Sequence, residues 1–131
     1  MKILANDGIS ESGKDKLEEY GFHVDLTKVS QDQLVSYIND NQIIALLVRS
    51  ATQVRANIID NCPSLKIIGR GGVGMDNIDV DYAKSNGIKV INTPAASSKS
   101  VAELVFSHLF GCVRFLHESN RSMPLDGDSK F

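Results

Sequence analysis

The chain has 131 residues, of which 42% are hydrophobic and 23% charged, and its formal net charge is −2. This length suits a single domain that can bury an apolar core without disulfides or a structural metal. The small negative charge excludes a general attraction to nucleic acid or to an acidic membrane surface, so that any anion site must be local and the expected partners are small molecules or proteins.

Short β-rich runs alternate with amphipathic segments along the chain. The predicted strands are residues 2–6, 23–26, 43–48, 65–68 and 88–91. The predicted helices are residues 11–20, 31–39, 54–61, 79–86 and 100–117, and the polar segment after them is predicted to be a loop or a frayed tail. Runs such as IIALLV are apolar throughout, which is typical of strands buried on both faces of a parallel sheet. We therefore predict an α/β fold, a doubly wound parallel sheet with strand order 2-1-3-4-5.

The last predicted helix is apolar on nearly every side. The sequence SVAE from Ser100 to Glu103 predicts a capping box at its start. Exposure of even four of its large apolar side chains would forfeit on the order of 6–12 kcal/mol, which rivals a whole domain's stability of about 5–15 kcal/mol. Glu103, His108 and Arg114 interrupt the run too early for a membrane span. We expect a protein partner for this helix, and the alternative is that it is the central helix of the domain.

The segment IIGRGGVGMDNID contains Gly69, Gly71 and Gly74 in a G-x-G-x-x-G pattern. In a dinucleotide fingerprint the third glycine lies inside the next helix, and the next strand ends in an acidic residue. Here the next helix is predicted to begin near Asp79, and the next strand leads to Asn92. We therefore interpret the segment as a glycine-rich strand end whose backbone amides can approach an anion.

Two arginines stand at the ends of neighbouring strands in the predicted order. Arg49 follows the third strand and Arg70 follows the fourth. Adjacent strands lie about 5 Å apart, and open α/β sheets bind ligands at the carboxyl edge. The pair predicts a site for a carboxylate or phosphate group. The alternative is a surface network in which the arginines pair with Asp7, Asp76 or Asp79.

The remaining reactive side chains indicate no further chemistry. Cys62 and Cys112 lack metal-ligand spacing and are predicted to be buried thiols in a reducing compartment. The N-terminus enters a strand pattern without the features of a signal peptide, so we expect a cytoplasmic protein. His23, His108 and His117 have no matching Ser or Cys arrangement, so a catalytic triad is not predicted, and the chain shows no metal-ligand spacing.

A family resemblance is carried by three segments of the chain, VRSATQV, IIGRGGVGMDNIDVDYAKSNGIKVINTP and SVAELV. Over about residues 3–121, the chain resembles the D-isomer-specific 2-hydroxyacid dehydrogenases. The likeness is greatest to members that act on D-3-phosphoglycerate. The resemblance implies a flavodoxin-like substrate-binding domain at residues 1–96. Residues 97–131 would form a crossover helix and the start of a truncated NAD-binding Rossmann domain. Helix 101–116 would build a homodimer, and the main NAD site would lie in the missing domain.

The resemblance also implies a set of site residues. Those implied for substrate binding are Arg49, Ser50, Arg70, Gly72, Val73, Gly74 and Asn77. Both arginines would bind acidic groups, and the amides from Gly72 to Gly74 would meet the substrate carboxylate. The Val73 backbone would also meet the edge of the nicotinamide, while Asn77 would brace the loop. No catalytic residue is implied within this chain.

The implied function is the substrate-binding part of an NAD-dependent oxidoreductase. It would convert D-3-phosphoglycerate to 3-phosphohydroxypyruvate on the route to serine, with the 131-residue chain alone inactive. Glycerate, glyoxylate and hydroxypyruvate stay open as alternative substrates. A stand-alone, non-catalytic flavodoxin-like binding module is the alternative from another class of protein.

Overall fold

Five strands form one parallel sheet in the computed structural model of the protein, which describes residues 1–126. The strands are β1 Lys2–Ala5, β2 His23–Asp25, β3 Ile43–Val48, β4 Ile67–Arg70 and β5 Lys89–Asn92. Their order is β2-β1-β3-β4-β5, and every neighbouring pair is parallel. The predicted α/β class and strand order are confirmed.

Four short helices connect these strands. They are α1 Glu11–Glu19, α2 Leu34–Asp40, α3 Ala56–Asn61 and α4 Val80–Ser85. The Ser10 hydroxyl accepts a hydrogen bond from the Gly13 amide at 3.2 Å and caps α1. Helix α2 begins three residues later than predicted because the chain first makes a turn closed by the Gln33 amide on the Ser30 carbonyl.

The apolar core joins the sheet to α2, α3 and α4. Its fully buried members include Leu34, Ile38, Leu46, Val48, Ile58 and Ile68. By contrast, α1 contributes no buried residue. Burial of these side chains fixes which face of each strand points inward, and it thereby orients the residues that follow each strand.

The chain divides into two compact units, Met1–Pro94 and Ala95–Phe131. Two helices form the described part of the second unit, α5 Ser98–Val113 and α6 Leu116–Asp126. The predicted single helix of residues 100–117 is therefore wrong at both ends. Helix α5 ends before Phe115, which adopts a left-handed φ of 50°, and α6 begins at the next residue.

Helix α6 occupies most of the segment that was predicted to be a loop. Its composition is polar, but Leu, Glu, Arg and Met are good helix formers, so the lack of an apolar face does not prevent a helix. The hydroxyls of Ser119 and Ser122 donate to the carbonyls of Phe115 and Glu118 one turn earlier. Gly127, part of the same prediction, lies outside the described residues.

The predicted capping box at the start of α5 is also wrong. The helix begins at Ser98, so Ser100 is already helical, and Ser97 at the N-cap makes no side-chain hydrogen bond. Glu103 instead lies 3.9 Å from Lys99, one turn before it in the helix.

No side chain of α5 is buried, although the helix carries many large apolar residues. Leu104, Phe106 and Phe110, for example, are more than half exposed. Helix α5 belongs to the second compact unit. Within residues 1–126, no helix is long and apolar enough to cross a membrane.

The two cysteines differ in their surroundings. Cys62 is buried as predicted, with 1% of its surface exposed, and burial raises the pKa of its thiol to about 11. Cys112 is exposed, so the prediction that it is buried is wrong. Its apolar neighbours in sequence lie on α5, which buries none of its side chains.

We expect Cys62 to resist thiol reagents in the native chain. The thiolate is the reactive species, and both burial and the raised pKa keep its population low. A Cys112→Ser variant isolates this thiol, and labelling with a chromogenic disulfide measures it. Fast labelling in the folded state, at the rate found in urea, would contradict the buried position of Cys62.

Candidate functional site

A cavity of about 600 Å³ opens at the carboxyl ends of β1, β3, β4 and β5. Its polar lining consists of Asp7, Ser10, Arg49, Arg70, Asn92 and Thr93. Its apolar lining includes Ile9, Leu47 and Ile91. The cavity therefore combines an apolar surface with a cluster of polar groups at the edge where open α/β sheets bind ligands.

Gly69 lies in the strand surface of this cavity, between Leu47 of β3 and Ile91 of β5. A Cβ on Gly69 would lie 2.8 Å from Cδ2 of Leu47, a distance that no real side chain tolerates. A side chain on Gly69 would therefore displace the end of the Leu47 side chain at the surface of the cavity. Helix α4 begins only at Val80, so Gly74 lies outside any helix and the dinucleotide geometry is not met.

Arg49 and Arg70 line the same cavity, as their positions after neighbouring strands predicted. Arg70 pairs in register with Val48, the residue before Arg49. None of the ion pairs within residues 1–126 involves either arginine. Asp79, one of the partners considered above, instead binds Arg55 at 2.8 Å. The alternative of a surface network around the two arginines is therefore not formed.

Asp7 organises the turn that follows β3. Its Oδ2 accepts hydrogen bonds from the amides of Arg49 at 2.7 Å and Thr52 at 3.1 Å, and its Oδ1 accepts one from the Thr52 hydroxyl at 2.7 Å. Burial alone would raise the pKa of Asp7, but these hydrogen bonds outweigh it and hold the pKa below its usual range. Asp7 is therefore a structural anion and not a base at neutral pH.

Asn77 holds the same turn from the other side. Its amide nitrogen donates to the carbonyls of Arg49 at 2.9 Å and Thr52 at 2.7 Å. Its Oδ1 accepts a hydrogen bond from Nε of Arg70 at 3.1 Å. Because Asn77 is buried and both ends of its amide are engaged, it links the backbone of one arginine to the side chain of the other.

The glycine loop after β4 is held from β5. Asn92 donates its side-chain amide to the Val73 carbonyl at 2.7 Å, and the Thr93 amide donates to the Gly72 carbonyl at 3.1 Å. Within the described residues, no hydrogen bond engages the amides of Val73 and Gly74. These two amides are consequently free to bind an anion.

Gly72 differs from its neighbours in the loop. Its amide already donates to the Arg70 carbonyl at 3.0 Å, so this amide is engaged within the protein. A Cβ on Gly72 would collide with Nη1 of Arg70. Gly72 therefore supplies the space in which the Arg70 guanidinium lies.

The structure brings together most of the residues implied by the resemblance. The two arginines line the cavity, and Asn77 and the glycine loop contact or adjoin Arg70. Ser50 is exposed beside Arg49 and is not part of the cavity lining. The sequence reading missed the role of Asp7 and Thr52, although the position of Asp7 after β1 predicts that it reaches the same edge of the sheet.

A sequence model described as the catalytic domain of D-isomer specific 2-hydroxyacid dehydrogenases matches residues 3–121. The chain belongs to this family. Among its similar relatives, the D-3-phosphoglycerate dehydrogenase of Methanocaldococcus jannaschii is 40% identical over 123 residues, which are 94% of this chain and 23% of that protein. The hydroxypyruvate reductase of Thermotoga maritima is 44% identical over 110 residues, 84% of this chain and 34% of that protein.

Two solved structures share the fold of this chain. The NAD⁺-bound 3-phosphoglycerate dehydrogenase of Entamoeba histolytica matches with a TM-score of 0.69 and 29% identity, over 85% of this chain and 38% of that one. The TT0316 protein of Thermus thermophilus matches in fold with a TM-score of 0.82 over 100% of this chain and 42% of that one, at 22% identity. The chain thus spans less than half the length of each of these dehydrogenases and neighbours.

Proposed function

We propose that this chain is the substrate-binding part of an NAD-dependent dehydrogenase that oxidises D-3-phosphoglycerate to 3-phosphohydroxypyruvate on the route to serine. The observation that carries the proposal is the pair of arginines, neither of them ion-paired within residues 1–126, that line one cavity at adjacent strand ends. Two cations so placed suit a substrate with two acidic groups. Relatives named as phosphoglycerate dehydrogenases support the same choice.

The alternative substrate is a smaller D-2-hydroxyacid with one acidic group. The 44% identical relative named as a hydroxypyruvate reductase favours it. Such a substrate would use one arginine or share the pair, so the second arginine would add little to affinity. The number of acidic groups that the site prefers therefore separates the two candidates.

The chain's own residues would bind and orient the substrate. Arg49 and Arg70 would hold the carboxylate and phosphate groups, and the free amides of Val73 and Gly74 would add hydrogen bonds to the carboxylate. Asn77 would keep the two arginines in a fixed relation. Asp7 is fully engaged by its three donors, so proton transfer from the 2-hydroxyl is assigned to residues outside this chain.

NAD is the cofactor that we propose, and it would accept hydride from the substrate when bound. The residues present fit only its nicotinamide edge, through the free backbone amide of Val73. The glycine loop does not fit the pyrophosphate, because helix α4 starts well beyond Gly74 and β5 ends in Asn92. We therefore assign the main NAD site to sequence outside these 131 residues, and we expect the chain alone to be inactive.

Titration of the chain with D-3-phosphoglycerate and with D-glycerate tests the substrate. We expect the phosphorylated acid to bind about tenfold or more tightly, since a second charge-assisted contact is worth roughly 1.5–3 kcal/mol. Amide chemical shifts measure weak binding and locate it, with the largest changes at Val73 and Gly74. Equal affinities would favour the smaller hydroxyacids, and shifts elsewhere would exclude this cavity.

We also propose that a second copy of the chain covers residues 101–116, most of which belong to α5. The support is the row of exposed apolar side chains on α5, among them Phe106 and Phe110, whose rings stack with centroids 6.2 Å apart. Exposed apolar area of this kind marks an association surface. Isologous pairing around a twofold axis would bury the same helix from both chains.

Sedimentation velocity over a wide concentration range tests this pairing. We expect the wild-type chain to associate and Leu109→Asp to be monomeric, because a carboxylate cannot be buried unpaired in an apolar interface. Labelling of the exposed Cys112 should slow as the wild-type chain associates. Asn120→Asp on α6 is the matched control and should associate normally. A monomeric wild type at every concentration would remove the proposal.

A further inference from the structure

The turn from Arg49 to Thr52 is held from two sides by residues that are distant in sequence. Asp7 accepts hydrogen bonds from the amides of Arg49 and Thr52, and Asn77 donates to the carbonyls of the same two residues. The amides and carbonyls at both ends of the turn, Arg49 and Thr52, are therefore held by side chains. The Arg49 side chain extends from the held part of this turn.

A carboxylate is the only side chain that satisfies the donors on the Asp7 side. Three donors converge on it, two amides and the Thr52 hydroxyl, and both carboxylate oxygens are used. An asparagine would present one NH₂ group to these donors, which would leave at least one of them unpaired. The Thr52 hydroxyl is itself fixed, because the buried Asn6 donates to it at 2.8 Å.

The carboxylate of Asp7 is bound by the turn and not by the arginines of the cavity. It lines the same cavity as the two arginines, yet no ion pair joins it to Arg49 or Arg70 within residues 1–126. Its charge is met by backbone amides and by a hydroxyl. The guanidinium groups consequently keep their charge available for an anion.

We infer that Asp7 is a positioning residue for Arg49: by holding the amides of the Arg49–Thr52 turn, it keeps the Arg49 side chain at the cavity in the orientation that binds an acidic substrate. The inference rests on the proposed function for its effect on substrate affinity. Its effect on the order of the turn stands on the contacts of Asp7 alone. Asp7 acts through Arg49 and not by touching the substrate.

The test compares Asp7→Asn with a matched control, Asp25→Asn. Asp25 also accepts a backbone amide, from Thr27 at 2.9 Å, and a hydroxyl, from Tyr37 at 2.7 Å, but it is not part of the cavity lining. We expect amide hydrogen exchange at Arg49 and Thr52 to speed up in the Asp7 variant alone. Affinity for D-3-phosphoglycerate should fall by about tenfold in that variant and stay unchanged in the control.

A double-mutant cycle shows whether Asp7 acts through Arg49. In an Arg49→Ala background, Asp7→Asn should change affinity no further, since the side chain that it positions is gone. An equal loss in both backgrounds, or unchanged exchange at Arg49, would overturn the inference. If Asp7→Asn does not fold, Asp7→Glu is used instead. We expect this variant to change the exchange rates and the affinity in the same directions but by less. Wild-type exchange and affinity in Asp7→Glu would contradict the inference.

These outcomes also separate the inference from the proposed function. If Arg49→Ala weakens binding and Asp7→Asn does not, the proposed function stands and the positioning role falls. If the wild-type chain binds no D-3-phosphoglycerate, the proposed function falls. The exchange rates at Arg49 and Thr52 then decide by themselves whether Asp7 holds the turn.

Discussion

Replacing Arg70 with alanine is expected to weaken binding of D-3-phosphoglycerate by about ten- to two-hundredfold, and Arg49→Ala should act similarly. Each change removes a charge-assisted contact worth roughly 1.5–3 kcal/mol. A free-energy difference of about 1.36 kcal/mol corresponds to a tenfold change in the dissociation constant. Effects of this size are expected because both arginines line the cavity and neither forms an ion pair within residues 1–126. Titration followed by amide chemical shifts measures the affinities on the folded chain.

Two further variants show whether a loss of affinity in Arg70→Ala reflects a direct contact with the substrate. Arg55→Ala removes an equal charge and breaks the ion pair with Asp79, but Arg55 does not line the cavity, so affinity should stay within about twofold. Arg70→Lys should recover part of the loss, because lysine keeps the charge without the planar fork. If Arg70→Ala lowered thermal stability and left affinity as in the Arg55 control, a purely structural role would be established.

Asn77→Ala is expected to reduce both stability and affinity. It leaves the carbonyls of Arg49 and Thr52 and Nε of Arg70 without their partner. Unsatisfied buried groups cost about 1–3 kcal/mol each, so we expect a loss of about 2–4 kcal/mol in the free energy of unfolding. The freed arginines should bind D-3-phosphoglycerate about tenfold more weakly, because orientation is lost.

Urea unfolding and ligand titration of the same protein measure the two effects of Asn77→Ala. Asn41→Ala is the control, since Asn41 also donates to a carbonyl, that of Tyr37 at 3.1 Å, and lies outside the cavity lining. The control should lose some stability and keep its affinity. Normal affinity in a folded Asn77→Ala chain would show that the arginines do not need this brace.

The sequence by itself determined the sheet and the place of the two arginines. The apolar run of β3 is bounded by polar residues, so its limits, Ile43–Val48, agree with the prediction. Alternation of strands and short helices leaves little choice of topology, because parallel crossovers are right-handed. Once the order 2-1-3-4-5 is given, Arg49 and Arg70 must reach the same edge of the sheet.

The second unit was determined less well, because local patterns carried no decisive signal there. Helix α6 has a polar sequence with Pro124 inside it, and such a sequence is typical of a loop. Cys112 lies in an apolar run, which predicted burial, but apolar sequence indicates burial only when another surface covers it. Whether a side chain is buried depends on the residues that surround it in the folded structure.

Only the tertiary structure decided how the site is held together. The hydrogen bonds of Asp7 to Arg49 and Thr52 join residues 42 and 45 positions apart, and those of Asn77 to Arg49 and Thr52 join residues 28 and 25 apart. No local sequence pattern indicates these pairs, because an aspartate or an asparagine at a loop position is equally compatible with a side chain that is only hydrated. Thr52 and Asn77 are buried by the fold, so their polar groups require partners within the protein, and the folded chain brings these partners from distant segments.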